Sequence, residues 1–195
     1  RILYQYGINT EIEQKKTNIQ KPFNVYISGI DVDGPITTNS RSDVNIIMTV
    51  NPNTRKILLT TTPRDYYVPI PGVSGEQKDK LTHAGIYGVD VSMKTLESIY
   101  GIDISYYARV NFTSLINIVD ALGGVDVNSE YAFTTTHGSY EIKKGMNHMD
   151  GATALGFSRE RYSFEAGDNQ RGKNQEAVLT AILNKAMSLA ILTNA

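Results

Sequence analysis

The chain has 195 residues, 41% of them hydrophobic, which fits one domain with a sizeable core and leaves two equal domains cramped. Its formal net charge of −1 gives no overall attraction to nucleic acid or to an anionic membrane surface, so any basic site must be local. Cysteine is absent, which excludes disulfides, thiolate nucleophiles and cysteine zinc sites, and no stretch approaches the ~18 apolar residues of a transmembrane helix.

No signal peptide is visible, and the chain starts at Arg1 rather than Met, so it reads as a piece of something longer. Residues 1–21 end in NTEIEQKKTNIQK, polar and weakly periodic, which suits a linker or the end of an upstream element; Pro22 opens the domain, taken as 22–195. FNVYISGI alternates as a strand and delivers Asp31 at its end. VNIIMTV (44–50) and KILLTTT (56–62) are β-branched runs joined by Asn51-Pro52-Asn53-Thr54 and predict a hairpin, with Pro63 ending the second run and Arg64-Asp65 at its mouth. A loop follows to Lys80, then a short helix in KLTHAGIYG. Val89, Met93, Leu96 and Tyr100 fall at helical spacing, with Asp90 or Ser92 as cap and Gly101 as stop. A strand is expected near Ile102–Val110. The clearest helix is FTSLINIVDALGG, whose Phe112, Leu115, Ile116, Val119 and Leu122 form one apolar stripe closed by Gly123-Gly124. Residues 125–127 make a short strand, Tyr140–Ile142 an extended piece, and Asp150 caps a brief helix through Leu155. FSRER is expected to be extended, and a last helix to run from about Gln170 towards Leu192, apolar on most of its circumference and well buried. Strands alternate with helices after an early hairpin, which predicts an α/β fold with a mixed central sheet between helices.

The chemistry-bearing stretch is ALGFSRERYSFEAGDNQRGKNQ (154–175). If FSRER is extended, Arg159 and Arg161 point to one face and Glu160 to the other, because side chains alternate along a strand. Asp168 or Asn169 can cap the helix whose first turns carry Arg171, Asn174, Gln175 and Val178 on one face. A helix N-terminus with cationic side chains is an anion site, and guanidiniums bind phosphate bidentately. A solvated charged face with arginine–carboxylate pairs is the bland alternative. Asp31 and Asp43 sit at the edges of neighbouring strands, and two carboxylates with open water positions suit magnesium; turn or cap roles are the alternative. Arg41 and Arg64 belong at the same rim if the hairpin pairs, so five arginines and two aspartates are expected to converge.

Other sites are missing. There is no G-x-S-x-G elbow, H-E-x-x-H or Rossmann glycine fingerprint, and Gly167–Asn174 matches G-x-x-x-x-G-K but has Asn where a P-loop needs Ser or Thr. His83, His137 and His148 have no ligand spacing; His83 alone sits near the loop mouth.

Together, Asp31 with RSD (41–43), TPRD (62–65), KLTHA (80–84), ALGGVDV (121–127), ALGFSRERY and GDNQRGKNQ resemble the LytR–CpsA–Psr family, most closely its streptococcal capsule-associated members. The resemblance implies an α/β/α domain on the outer face of the bacterial cytoplasmic membrane, tethered by N-terminal transmembrane helices that this chain lacks. It implies a phosphotransferase that moves a glycopolymer, of capsular or teichoic-acid type, from a polyprenyl pyrophosphate carrier to peptidoglycan, with no nucleic acid involved. Asp31 and Asp43 match the family's magnesium ligands, Arg64 its proposed catalytic arginine, and Arg41, Arg159, Arg161, Arg171 and Gln175 its pyrophosphate contacts. Threonines at 60–62 and Tyr66 depart from the family pattern at the pocket mouth, where acceptor or lipid preference is set. The alternative is a polyprenyl-phosphate-binding regulatory module, or a pyrophosphatase.

Overall fold

The computed structural model describes residues 21–30, 36, 38–165 and 167–193, with backbone alone for 168, 187 and 189–193. The chain forms two compact units, Arg1–Phe112 and Thr113–Ala195.

In the first unit, β1 (Phe23–Ile30), β2 (Ser42–Asn51), β3 (Lys56–Thr61) and β6 (Tyr106–Val110) form a sheet of order β3-β2-β1-β6. β2 pairs antiparallel with both β1 and β3, and β6 runs parallel to β1, so the sheet is mixed as expected. The hairpin turn forms because Asn51 Oδ1 accepts from the amides of Asn53 and Thr54 at 3.1 and 3.2 Å, the local bonding that favours Asn in turns. β4 (Tyr67–Pro69) and β5 (Lys78–Lys80) make a small ribbon, followed by α1 (Leu81–Ala84), a 3-10 turn (Gly85–Tyr87) and α2 (Val89–Tyr100). Tyr26 and Ile47 on the sheet bury against Val68, Leu81, Leu96 and Ile104. Helix α2 ends as expected at left-handed Gly101, whose amide reaches Glu97 O, but its N-cap is Gly88, with Asp90 inside the first turn. Ser92 is the fourth residue of the helix, its amide already bonded to Gly88 O, so it does not cap. Glu97 Oε1 accepts from the Ile104 amide in place of a strand partner, and β6 begins only at Tyr106, shorter than the expected strand.

In the second unit, α3 (Phe112–Ala121) leads through Gly124, at φ +85°, into β7 (Val125–Ser129). β7 pairs antiparallel with β10 (Gly145–Met149), and β8 (Phe133–Thr134) with β9 (Glu141–Ile142). α4 (Gly151–Arg159) and α5 (Gly167–Thr193) complete it. Val119, Val125, Val127, Met149, Ala154 and Phe157 form its core.

Two expectations fail here. FSRER is not a strand: Asp150 caps α4 by accepting from the Thr153 amide at 2.8 Å, and the helix runs on through Arg159. Gly151, Ala154, Phe157 and Ser158 bury one helical face, a period-3.6 pattern that a short apolar run does not distinguish from a buried strand. Helix α5 begins at Gly167, so Asp168 and Asn169 lie inside its first turn and not at its cap, and among its described side chains only Gln170, Asn174, Val178 and Ala181 are buried. Polar Lys173, Thr180 and Asn184 interrupt the rest of its circumference.

Candidate functional site

The first cluster grows out of an irregularity in the sheet. Gly29 pairs with Val44 and Ile30 with Ser42, so Asp43 is the extra residue of a β-bulge, left out of the ladder. Bulges re-aim a side chain in this way. On the other side of β2, the Thr62 amide still bonds Asn45 O at 2.9 Å before Pro63 ends the pairing, and Arg64 arrives beside Asp43. Arg64 Nη1 donates to Asp43 Oδ1 at 3.1 Å, with the two side chains 29% and 22% exposed. Thr82, the second residue of α1, ties both together: its Oγ1 donates to Asp43 Oδ1 at 3.3 Å, and its amide donates to Arg64 O at 2.9 Å. Asp65 closes the other flank, 3.7 Å from Arg64 Nε and 2.8 Å from Lys80 Nζ.

Gly85 sets the depth of this cluster. A Cβ there would lie 2.5 Å from Ser40 O and 2.7 Å from Ser42 N, so only glycine lets the turn after α1 press on the backbone that carries Arg41 and Asp43. Arg41 itself is exposed. His83 turns to Asp79, its Nδ1 2.8 Å from Oδ1, and that contact, with the Lys80 amide, holds the Asp79 carboxyl below its ordinary range. Asp31 lies outside the described residues.

The second cluster is built around a buried anion. Glu160, 1% exposed, caps the C-terminal end of α4, and its carboxylate gathers the amides of Thr136, Arg161 (3.1 Å), Tyr162 (2.8 Å) and Ser163 (3.0 Å), and the Thr136 hydroxyl (3.0 Å). Burial works to raise its pKa, but the amide and hydroxyl donors outweigh it and hold the carboxyl below its ordinary range. The chain is thereby fixed in a tight bend with Arg159 before it and Arg161 after it. They are set by a helix end and a turn, not by one strand face. The Arg161 guanidinium lies 4.6 Å from the centre of the Tyr162 ring. Arg171 and Gln175 are half-buried on α5, each next in sequence to a member of a buried pair, Gln170 and Asn174, that bond each other at 3.1 Å. Asn174 Nδ2 also reaches Phe157 O at 3.2 Å, which docks α5 on α4.

Of the expected site residues, Arg41, Asp43 and Arg64 belong to the first unit and Arg159, Arg161, Arg171 and Gln175 to the second. Asp43 and Arg64 touch; Arg159 and Arg161 share one bend; Arg171 and Gln175 share one helical turn. Thr82 and Glu160 were missed as positioning groups. Glu160 has a visible signal, one acid between two arginines with Tyr-Ser behind it, whereas nothing in the spacing of Thr82 reveals its partners.

Among the described residues no three or more His, Asp or Glu side chains gather as a metal site. Magnesium needs less, one or two carboxylates completed by water and phosphate oxygens. Both hydrogen bonds to Asp43 fall on Oδ1, so its Oδ2 is a hard oxygen donor at the rim, and the residues present fit that ion. Among the described residues no helix is long and apolar enough to cross a membrane.

Comparison with known proteins supplies the relatives. The LytR_cpsA_psr family model matches residues 4–195. A polyisoprenyl-teichoic acid–peptidoglycan teichoic acid transferase TagU of Enterococcus faecalis is 38% identical over 194 residues, 98% of this chain and 62% of that protein. The chain thus spans somewhat over half the length of relatives of this kind. The crystal structure of B. subtilis TagV superposes with a TM-score of 0.76 at 28% identity, covering 85% of this chain and 65% of that one. A TagT structure with bound octaprenyl pyrophosphate lipid gives 0.72 at 33% identity, covering 87% and 66%.

Proposed function

The chain belongs to the LytR_cpsA_psr family, and from that premise we propose that residues 22–195 are the catalytic domain of a phosphotransferase that attaches a glycopolymer, carried on a polyprenyl pyrophosphate, to peptidoglycan. The observation that supports it best is the Asp43–Arg64 pair at the end of the sheet, locked from both partners by Thr82. The names of the relatives carry the same chemistry, transfer of teichoic acid to peptidoglycan in one and a bound octaprenyl pyrophosphate in another. The domain works on the outer face of the cytoplasmic membrane.

In this reading a peptidoglycan hydroxyl attacks the sugar-bearing phosphorus. A new P–O bond forms, the bond to the bridging oxygen breaks, and the lipid monophosphate leaves with the electron pair while the hydroxyl proton passes to solvent. Arg64 stabilises charge as it builds on the transferring phosphoryl group and the leaving oxygen. Arg41, Arg159, Arg161, Arg171 and Gln175 hold the pyrophosphate by charge-assisted hydrogen bonds. Asp43 and Asp31 would hold magnesium, which when bound neutralises pyrophosphate oxygens.

Turnover of a short lipid-pyrophosphate glycan, with and without peptidoglycan fragments, tests the proposal. Acceptor-dependent product linked through a phosphodiester is expected. Equal release of lipid phosphate without acceptor would make the protein a pyrophosphatase, and tight sequence-specific DNA binding in a gel-shift titration would make it a regulator.

A further inference from the structure

Arg109 is a charged residue in the interior of the first unit. It lies on β6 opposite Ser28 of β1, is 8% exposed, and among the described residues has one hydrogen bond, from Nη1 to Ile36 O at 3.2 Å. Among the described residues its buried Nε has no hydrogen-bond partner and no carboxylate pairs with it. A guanidinium removed from water without a counter-charge is costly, so a structural arginine in this place would be expected to carry one.

The surroundings are polar but carry no charge opposite to that of Arg109 among the described residues. Strand register puts Tyr26, Ser28 and Ile30 on the same face as Arg109, with Asn45 opposite Ser28 and Ser42 opposite Ile30. The hydroxyls of Ser42 and of Ser92, from α2, are buried. Tyr26 donates to Asn45 Oδ1 at 2.7 Å; burial raises its pKa, while hydrogen bonding to the Ser28, Ser42 and Ser92 hydroxyls and the charge of Arg109 pull it back. This layer lies at the same end of the sheet as Asp43 and Arg64, since Ser42 is the residue before Asp43, and Arg109 stands two strands from β2, roughly 10 Å by strand spacing. A buried guanidinium with an Nε unpaired among the described residues, facing a layer of hydroxyls that includes Ser42 and Ser92, is a donor open to a further acceptor.

We propose that Arg109 is an anion-binding residue, and that with Ser42 and Ser92 it takes phosphate oxygens at the inner side of the Asp43–Arg64 cluster. The inference rests on the transferase reading for the identity of the anion, a phosphate oxyanion, whose source is either a prenyl pyrophosphate or free pyrophosphate.

Calorimetric titration with farnesyl pyrophosphate and with inorganic pyrophosphate, both with magnesium, on the wild type, Arg109→Met and Ser42→Ala tests it, alongside thermal melts without ligand. Arg109→Met should weaken binding about tenfold or more, the scale of a lost charge-assisted hydrogen bond, and leave the ligand-free melting temperature unchanged or raised, because a buried uncompensated charge is gone. Ser42→Ala should fold normally and weaken binding a few-fold, so the test survives a misfolded Arg109→Met. Loss for both ligands identifies the lipid-linked headgroup; loss for inorganic pyrophosphate alone also supports the site and assigns it to a free anion. Unchanged affinity for both ligands, with a lowered melting temperature in Arg109→Met, would make Arg109 a brace for Ile36 and overturn the proposal. If the wild type binds neither ligand, the transferase reading itself fails, a result distinguishable from failure of Arg109 alone.

Discussion

The two arginine clusters are held by opposite means. Around Arg64, half-exposed charges touch each other directly: Asp43 on one side, Asp65 with Lys80 on the other. Around Arg159 and Arg161, the organising charge is Glu160, fully buried, whose described hydrogen bonds go to Thr136 and to the amides of residues 161–163. Solvent-accessible ion pairs are worth little to stability, median about 0–1 kcal/mol, but they leave a guanidinium ready to exchange partners. A buried carboxylate that satisfies a run of backbone donors fixes a bend and is costly to remove, about 3 kcal/mol or more. The first arrangement suits a group whose contacts change during reaction; the second suits a rigid grip.

That contrast can be broken at its strongest point first. Glu160→Ala should lower unfolding free energy by about 3 kcal/mol, because it strands buried amides, and chemical denaturation would show it as a lower midpoint. An unchanged midpoint would mean that the bend is held by something else. Gly85→Ala comes next, at about 2 kcal/mol, since its methyl would meet the backbone at Ser40 and Ser42; the same variant should need more magnesium for half-maximal activity because the approach to Asp43 is disturbed. pH probes the Glu160 charge without deleting the side chain. Its folded pKa is depressed below the ordinary 4.5, so its stabilisation is fully present above that value and is lost as pH falls through the folded value. Glu160→Gln should flatten the acid limb of stability against pH, and a limb as steep as wild type would assign it to other carboxylates. The smallest effect is expected at Thr82→Val, which keeps the shape, loses the bond to Asp43 Oδ1, and should cost about 1 kcal/mol in the melt, with Thr82→Ser close to wild type.

Much of the first cluster was legible in the sequence. Pro63 after a β-branched run marks where pairing stops, and that alone places Arg64 at a strand mouth; the Asn51 turn fixes which strand it neighbours. The bulge at Asp43 was not legible, because alternation carries no sign of an inserted residue. The second cluster differs in form from the expected strand. Five residues reading Phe-Ser-Arg-Glu-Arg satisfy a strand as well as a helix end, and the decision lies ten residues upstream of Glu160 in how far the helix begun at Asp150 can keep burying Ala154 and Phe157. Helix α5 exposes more than its apolar content suggests, because burial depends on how much neighbouring surface covers the helix; only the line through Asn174 and Val178 is covered among its described side chains.

The central claim is the division of labour, Arg64 acting on developing charge and Arg159 gripping the substrate in both states. Steady-state kinetics of Arg64→Lys and Arg159→Lys in one glycan-transfer assay tests it most directly, since lysine keeps the charge and loses the planar fork. The account predicts a fall in kcat of about a thousandfold with little change in KM for Arg64→Lys, and chiefly a rise in KM, about tenfold, for Arg159→Lys. Wild-type kcat in Arg64→Lys, or the two patterns exchanged, would contradict it.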